Sequence, residues 1–228
     1  MSDVVHPRSI RSFVTRAGRV TVAQQRALEL LWPRYGIEFE PQVLDLDARF
    51  GRRAPRSLEI GFGNGEHLAA LAAANPDRDY LGVEVHRSGV GRLMLSLEEL
   101  GLHNVRIICH DAVEVLEAQI APDCLDEVLV LFPDPWPKKR HHKRRLIQSA
   151  LVALIASRLR SGATLRLATD WEPYAQHMLD VIGACAQLAN LAPHGAFIER
   201  PADRTPTRFE KRGARLGHGV WDLAFRRI

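Results

Sequence analysis

Cysteine is scarce, and the little there is does not pair. The three cysteines, Cys109, Cys124 and Cys185, stand far apart with no C-x-x-C between them, which argues against a disulfide framework and against a structural zinc site. A reducing cytoplasm is the expected compartment. No apolar run approaches the roughly 18 residues of a membrane helix, and no apolar segment follows the amino-terminal charges as a secretion signal requires. The chain has no internal repeat, no low-complexity tract and no triad-like nucleophile. His141 and His142 have no further ligands at metal spacing, so no metal is expected. Nor is there a large excess of one charge: 31 Lys and Arg against 27 Asp and Glu leave +4. The positive charge is clustered instead, which points to a nucleic-acid or phosphate partner.

What is present has globular proportions. With 228 residues, 46% hydrophobic and 25% charged, the chain can bury a full core as a single domain. That domain is expected over 36–228, after a basic, flexible arm over 1–35. The arm carries Arg8, Arg11, Arg16 and Arg19 with only Asp3 against them, a composition that also imitates a transit peptide. Val22 to Leu31 offers an amphipathic helix that must end by Pro33, and Pro41 to Phe50 another helix or turn. From Ser57 short strands alternate with helices: Ser57–Ile60, Glu66–Ala74, Asp79–Glu84, Ser88–Leu100, Val105–His110, Ala112–Gln119, Glu127–Phe132, Lys143–Arg160 and Thr164–Thr169. Such alternation predicts an α/β fold with a mostly parallel sheet covered on both faces. A helix over Trp171–Leu191 follows, and then a carboxyl-terminal antiparallel hairpin pairing Phe197-Ile198 with Val220–Arg227. Between them, Arg200 to Gly219 reads as a long functional loop.

Two features carry chemistry. In Leu58-Glu59-Ile60-Gly61-Phe62-Gly63-Asn64-Gly65 a strand runs into a glycine turn and then a helix, an arrangement that lets backbone approach a ligand closely. The dinucleotide fingerprint would place its third glycine where Glu66 stands. A carboxylate there disfavours a pyrophosphate and favours a cationic or neutral adenosyl ligand. Glu84 follows at the spacing of a ribose-binding acid, and Glu59, Glu84, Asp111 and Asp134 are expected to line one edge of the sheet. The second feature is Phe132-Pro133-Asp134-Pro135-Trp136, followed at once by Lys138-Lys139-Arg140-His141-His142-Lys143-Arg144-Arg145. It sets a carboxylate between two prolines at a strand's carboxyl end, where open α/β sheets bind ligands, beside a dense block of positive charge.

These motifs, with Leu81-Gly82-Val83-Glu84-Val85-His86, Ala168-Thr169-Asp170-Trp171 and Thr207-Arg208-Phe209-Glu210-Lys211-Arg212-Gly213, resemble the bacterial tRNA (guanine-N7-)-methyltransferases, the TrmB family. The resemblance runs in order from Ser57 to the carboxyl terminus. It implies a Rossmann-like class I fold and methyl transfer from S-adenosyl-L-methionine to N7 of guanosine 46 in the tRNA variable loop. By matching motif, Glu59, Gly61, Gly63, Gly65, Glu84, Asp111 and Asp134 would hold the cofactor. Asp134 would lie between cofactor and guanine as the catalytic residue. Lys138, Asp170, Thr207, Arg208, Phe209 and Glu210 would contact the substrate, and Arg140, His141, His142, Lys143, Arg144 and Arg145 the RNA. The protein would act in the cytoplasm as a monomer or homodimer, with tRNA as partner and neither membrane nor metal.

The residues themselves agree with that chemistry. Guanine N7 already presents an in-plane lone pair, so alignment matters more than proton removal, and Asp134 suits orientation or charge stabilisation better than general-base work. Two alternatives remain: a small-molecule methyltransferase, and an RNA-binding protein without catalysis. An NAD-dependent oxidoreductase is disfavoured by Glu66.

Overall fold

Apolar runs of four to seven residues, punctuated by glycine turns and helix caps, organise the chain around one sheet. The structure is a computed structural model and describes residues 12–13, 19–204, 210 and 219–228. Eight strands, β1 (Gly36–Ile37), β2 (Arg56–Ile60), β3 (Asp79–Val83), β4 (Val105–Ile108), β5 (Leu125–Leu131), β6 (Leu159–Thr169), β7 (Leu188–Asn190) and β8 (Trp221–Arg227), lie in the order β1-β4-β3-β2-β5-β6-β8-β7. Pairing is parallel from β1 through β6. It is antiparallel where β8 inserts between β6 and β7. From β2 the chain steps outward through β3 to β4 and then returns to β5 on the other side. The carboxyl ends of β2 and β5 therefore flank a switch point, where such sheets open a crevice for ligands.

Strand alternation divides the core in two. Leu58, Ile60, Val83, Val128, Val130, Leu165 and Leu167 face one side, against the helices α6 (Ala112–Ala118), α7 (Ser149–Arg158) and α8 (Glu172–Gly183). Tyr80, Ile107 and Leu129 face the other, where α4 (Glu66–Ala74) and α5 (Arg87–Glu99) pack. Val128, Leu129 and Val130 are all fully buried, as expected of a central parallel strand covered on both faces.

The strands and helices expected between Ser57 and Gln119 are present within two residues of their predicted ends. Other expectations change. Residues 21–35, assigned to the arm, are packed: α1 (Val22–Leu30) and α2 (Trp32–Tyr35) follow a capping box at Thr21, and Ala27, Leu28 and Tyr35 are buried. Pro33 does end α1's run, yet it sits in the first turn of α2, where a missing N–H costs nothing. A short α3 (Leu46–Phe50) is capped by Asp45. The helix expected over Lys143–Arg160 is only α7, preceded by a 3-10 turn over Lys139–Arg144. Between them the Ile147 amide donates to Tyr174 Oη (3.1 Å), and its carbonyl lies 2.8 Å from His177 Nε2. Side chains of α8 thus take the bonds a helix would have used.

The helix expected to reach Leu191 stops at Gly183. Leu188–Asn190 becomes β7 and is the strand that pairs with β8. Phe197-Ile198 contributes only a bridge from Ile198 to Asp222. The carboxyl-terminal antiparallel pair is therefore real, with a different partner strand from the one expected.

One close approach shapes the switch point. Gly89 in α5 lies so near the turn after β2 that a methyl group there would be driven into the Gly63 carbonyl oxygen. Gly183, at the end of α8, has open space around it. Gly89→Ala should lower stability by about 1–3 kcal/mol through overpacking. Gly183→Ala should leave it unchanged or raise it by up to about 1 kcal/mol. Urea unfolding of the two variants checks both signs.

Candidate active site

After Ile60 the backbone turns through Gly61, Gly63 and Gly65 with φ of +74°, +58° and +74°, values that L side chains adopt only under strain. At Gly61 and Gly63 a side chain would meet nothing within 4 Å; conformation, not crowding, demands glycine there. Glu84, just past β3, pins this turn. Its Oε2 accepts from the Gly63 amide (2.9 Å), while Oε1 accepts from the amides of Val85 (2.7 Å) and His86 (3.0 Å). A carboxylate has about four acceptor sites, so Glu84 keeps capacity for a ligand hydroxyl. Asp111 caps α6 by accepting from the Val113 amide (2.9 Å).

These groups border a cleft of about 260 Å³ at the carboxyl ends of β2 to β5. Gly61, Gly63, Glu84, His86, Asp111, Phe132 and Asp134 line it, with Ser12 and Phe13 of the amino-terminal segment. No Lys or Arg is among the described lining residues. Among these residues a phosphate would find no cation, whereas a neutral or cationic adenosyl ligand meets three carboxylates. The cleft thus fits the ligand class implied by Glu66. Glu59 is the exception among the expected acids. It is the penultimate residue of β2, so alternation turns it away from the cleft. It is 3% exposed, with Oε2 3.2 Å from His67 Nδ1.

The loop after β5 is held in an unusual conformation. Phe132 extends the sheet, donating its amide to the Ala168 carbonyl (2.8 Å), yet its φ is +51°, and that of Trp136 is +44°. Both ends of the Pro133-Asp134-Pro135 segment are therefore in the left-handed region. Arg145, 4% exposed, donates from Nε to the Pro135 carbonyl (3.0 Å) and lies 4.8 Å over the Tyr174 ring. Arg144 lies 4.9 Å over Trp136, and the Trp136 Nε1 donates to the Ser12 carbonyl (3.2 Å). Burial pushes the Tyr174 phenol up to about 12 and pulls the Arg145 guanidinium down. Between these braces Asp134 is exposed and makes no hydrogen bond or ion pair among the described residues.

The basic run divides accordingly. Lys138, Lys139, Arg140 and Lys143 are exposed, and His141 and His142 are half-buried. Partial desolvation, then the charges of Arg140, Arg144, Lys138 and Lys143, hold the His141 imidazole below its ordinary pKa. Arg145, expected to face RNA, is instead turned inward as a brace, and Arg144 is half-buried against Trp136.

Asp170 is half-buried after β6. It does not cap α8, whose N-cap is Trp171 with no side-chain cap; the Thr169 Oγ1 accepts from the Trp171 amide (3.3 Å) in the turn before the helix. Glu210, expected to touch substrate, is 8% exposed and ion-paired with Arg204 at 2.7 Å. Thr207, Arg208 and Phe209 lie outside the described residues. Tyr174 and Arg204 had no sequence signal as braces, since each contacts the loop only through the tertiary fold. Among the described residues no group of three His, Cys, Asp or Glu is placed to hold a metal, and no helix is long and apolar enough to cross a membrane.

Comparison with known proteins places this architecture. A family model described as "Putative methyltransferase" matches residues 53–223. The solved 16S rRNA methyltransferase KamB superposes with a TM-score of 0.58 at 16% identity, over 82% of this chain and 95% of that one. That likeness concerns the fold, a Rossmann-like class I methyltransferase fold. Among curated proteins, the tRNA (guanine-N(7)-)-methyltransferase of Methylococcus capsulatus is 58% identical over 97% of this chain and 95% of its own length. That of Paraburkholderia xenovorans is 57% identical over 99% and 86%. With identity of this depth running almost from end to end, and a methyltransferase cleft at the sheet's switch point, the chain belongs to the tRNA (guanine-N(7)-)-methyltransferase family.

Proposed function

We propose that this protein is a cytoplasmic enzyme that transfers a methyl group from S-adenosyl-L-methionine to N7 of guanosine 46 in the tRNA variable loop. The observation that carries the reading is Asp134: an exposed carboxylate with no hydrogen-bond or ion-pair partner among the described residues, at the seam between an acid-lined cleft and a turn of exposed cations. The relatives' names supply the class of substrate, and the geometry supports it.

In this reading the glycine turn, Glu84 and Asp111 hold the cofactor, Glu84 by accepting hydrogen bonds from ribose hydroxyls. S-adenosyl-L-methionine, when bound, supplies an electrophilic methyl group on a sulfonium. The guanine brings its own lone pair at N7, so no residue need remove a proton. Asp134 accepts from the guanine N1–H and exocyclic amine, which sets the base in the plane of attack and offsets the positive charge that develops on the ring. Lys138 and Asp170 flank the substrate at the carboxyl ends of β5 and β6. Lys139, Arg140 and Lys143 take the phosphates of the incoming loop.

Methyl transfer from labelled cofactor to unmodified tRNA, mapped by borohydride and aniline cleavage at 7-methylguanosine, tests the reading. One cut at position 46 is the expected product. Label confined to small molecules, or cuts elsewhere, would replace it with another methyltransferase specificity.

The division of the basic run gives a second test. Arg140→Ala should reduce the slope of log K against log salt for tRNA binding by about 1, as loss of one phosphate contact does. Arg145→Ala should leave that slope unchanged and instead lower stability by about 1–3 kcal/mol, because it strips a charged donor from a buried carbonyl. Salt titrations of binding and urea unfolding, run on both variants, separate the two roles.

A further inference from the structure

We propose that Arg204 is a positioning residue that locks the Phe132-Pro133-Asp134-Pro135-Trp136 loop to the segment carrying Glu210, and so sets where Asp134 meets the substrate. The inference rests on the reading of Asp134 given above.

Arg204 is 2% exposed, yet both of its terminal nitrogens donate hydrogen bonds to carboxylates and its Nε approaches one in an ion pair. Nη1 and Nη2 donate to Glu210 at 2.7 and 3.2 Å. Nη2 also donates to Asp222 Oδ2 at 2.9 Å, and Nε lies 2.6 Å from Asp222 Oδ1. The Arg204 Cζ lies over the Phe132 ring, 5.6 Å from the centroid. One planar cation thus joins three pieces of chain: the Glu210 segment, β8, and the first residue of the strained loop.

The grip on Phe132 has two routes. One is direct, through the ring. The other runs through β8: Asp222 is in register with Ala168, and the Ala168 carbonyl accepts the Phe132 amide. Arg200 closes the assembly, donating from Nε and Nη2 to the Arg204 carbonyl at 3.2 and 2.7 Å and reaching Glu210 at 3.3 Å. Two arginines therefore face two carboxylates. Burial opposes the charge on Arg204, and hydrogen bonds to Glu210 and Asp222 more than restore it.

Buried ion pairs of this kind stabilise little relative to apolar packing of the same volume, so stability is a poor reason for its presence. What it supplies is geometry: a planar fork that meets two carboxylates while its cation sits over a ring. Lysine cannot reproduce this with a single ammonium.

The test uses the full-length protein and pairs kinetics with hydrogen exchange. Because three residues from 133 to 137 are prolines, exchange in that stretch reports on the amides of Asp134 and Trp136, with Phe132 just before. Arg204→Lys should speed exchange at those amides while leaving β2 to β4 unchanged. It should lower kcat for tRNA methylation by about ten- to a hundredfold, the scale of a misplaced catalytic group, with cofactor affinity unaltered by calorimetry. Phe132→Leu, which keeps the ion pairs but removes the ring, should give the same pattern, and the double variant should cost no more than the worse single one.

Unchanged exchange over 131–137 in folded Arg204→Lys would overturn the proposal, and so would losses that multiply in the double variant. If the wild-type protein leaves tRNA unlabelled, the reading of substrate fails, and the exchange comparison still decides whether Arg204 holds the loop.

Discussion

A strained loop held by buried arginines is the constraint on which the site depends. Phe132 and Trp136 carry φ of +51° and +44°, and left-handed backbone costs of order 1–3 kcal/mol per non-glycine residue. Left alone, the segment between them would relax and carry Asp134 away from the cleft. Arg145 prevents this from below, through the Pro135 carbonyl. The Arg204 cation lies over the Phe132 ring at one end and the Arg144 cation over Trp136 at the other. The prolines at 133 and 135 limit what freedom remains, since each fixes its own φ. Asp134 is thus presented without being tied: its surroundings are rigid while its carboxylate stays available.

The same arrangement explains how one basic run does two jobs. Cations that face solvent, Lys138 to Arg140 and Lys143, suit long-range attraction of phosphates, whose strength falls with salt. Arg144 and Arg145 are turned toward aromatic rings and a backbone carbonyl, where desolvation makes each contact directional. On the other side of the cleft the wall is acidic: Glu84 and Asp111 are fixed by backbone amides, with no described Lys or Arg between them. In the proposed function this division of charge would sort a cationic or neutral cofactor from a polyanion before any specific contact forms.

Much of this was readable from sequence because it is local. The glycine turn, the short apolar strands from Ser57 to Phe132 and the helix after Gly65 depend on neighbours in the chain, and they appear where expected. What depended on distant partners was misread. Leu188-Ala189-Asn190 continued a helical run on paper, but pairing with β8 made it a strand. Glu59 looked like a cleft acid until alternation along β2 sent it to His67. Arg145 was expected against the RNA and Glu210 against the substrate, and both are buried, because nothing in a sequence marks a charged residue as buried. Tyr174, against Arg145, lies in α8, while Arg204, against Glu210, stands six residues away in the chain.

In the proposed function Asp134, a carboxylate with no partner among the described residues, held in a strained loop, aligns the guanine for attack. Single-turnover methyl transfer by Asp134→Asn, at saturating cofactor and tRNA, tests it most directly. The account predicts a rate lower by about 10²–10³, the usual loss of one electrostatic contact to a developing charge, with both dissociation constants unchanged. A rate close to that of the wild-type protein would contradict it and return the loop to a purely structural part.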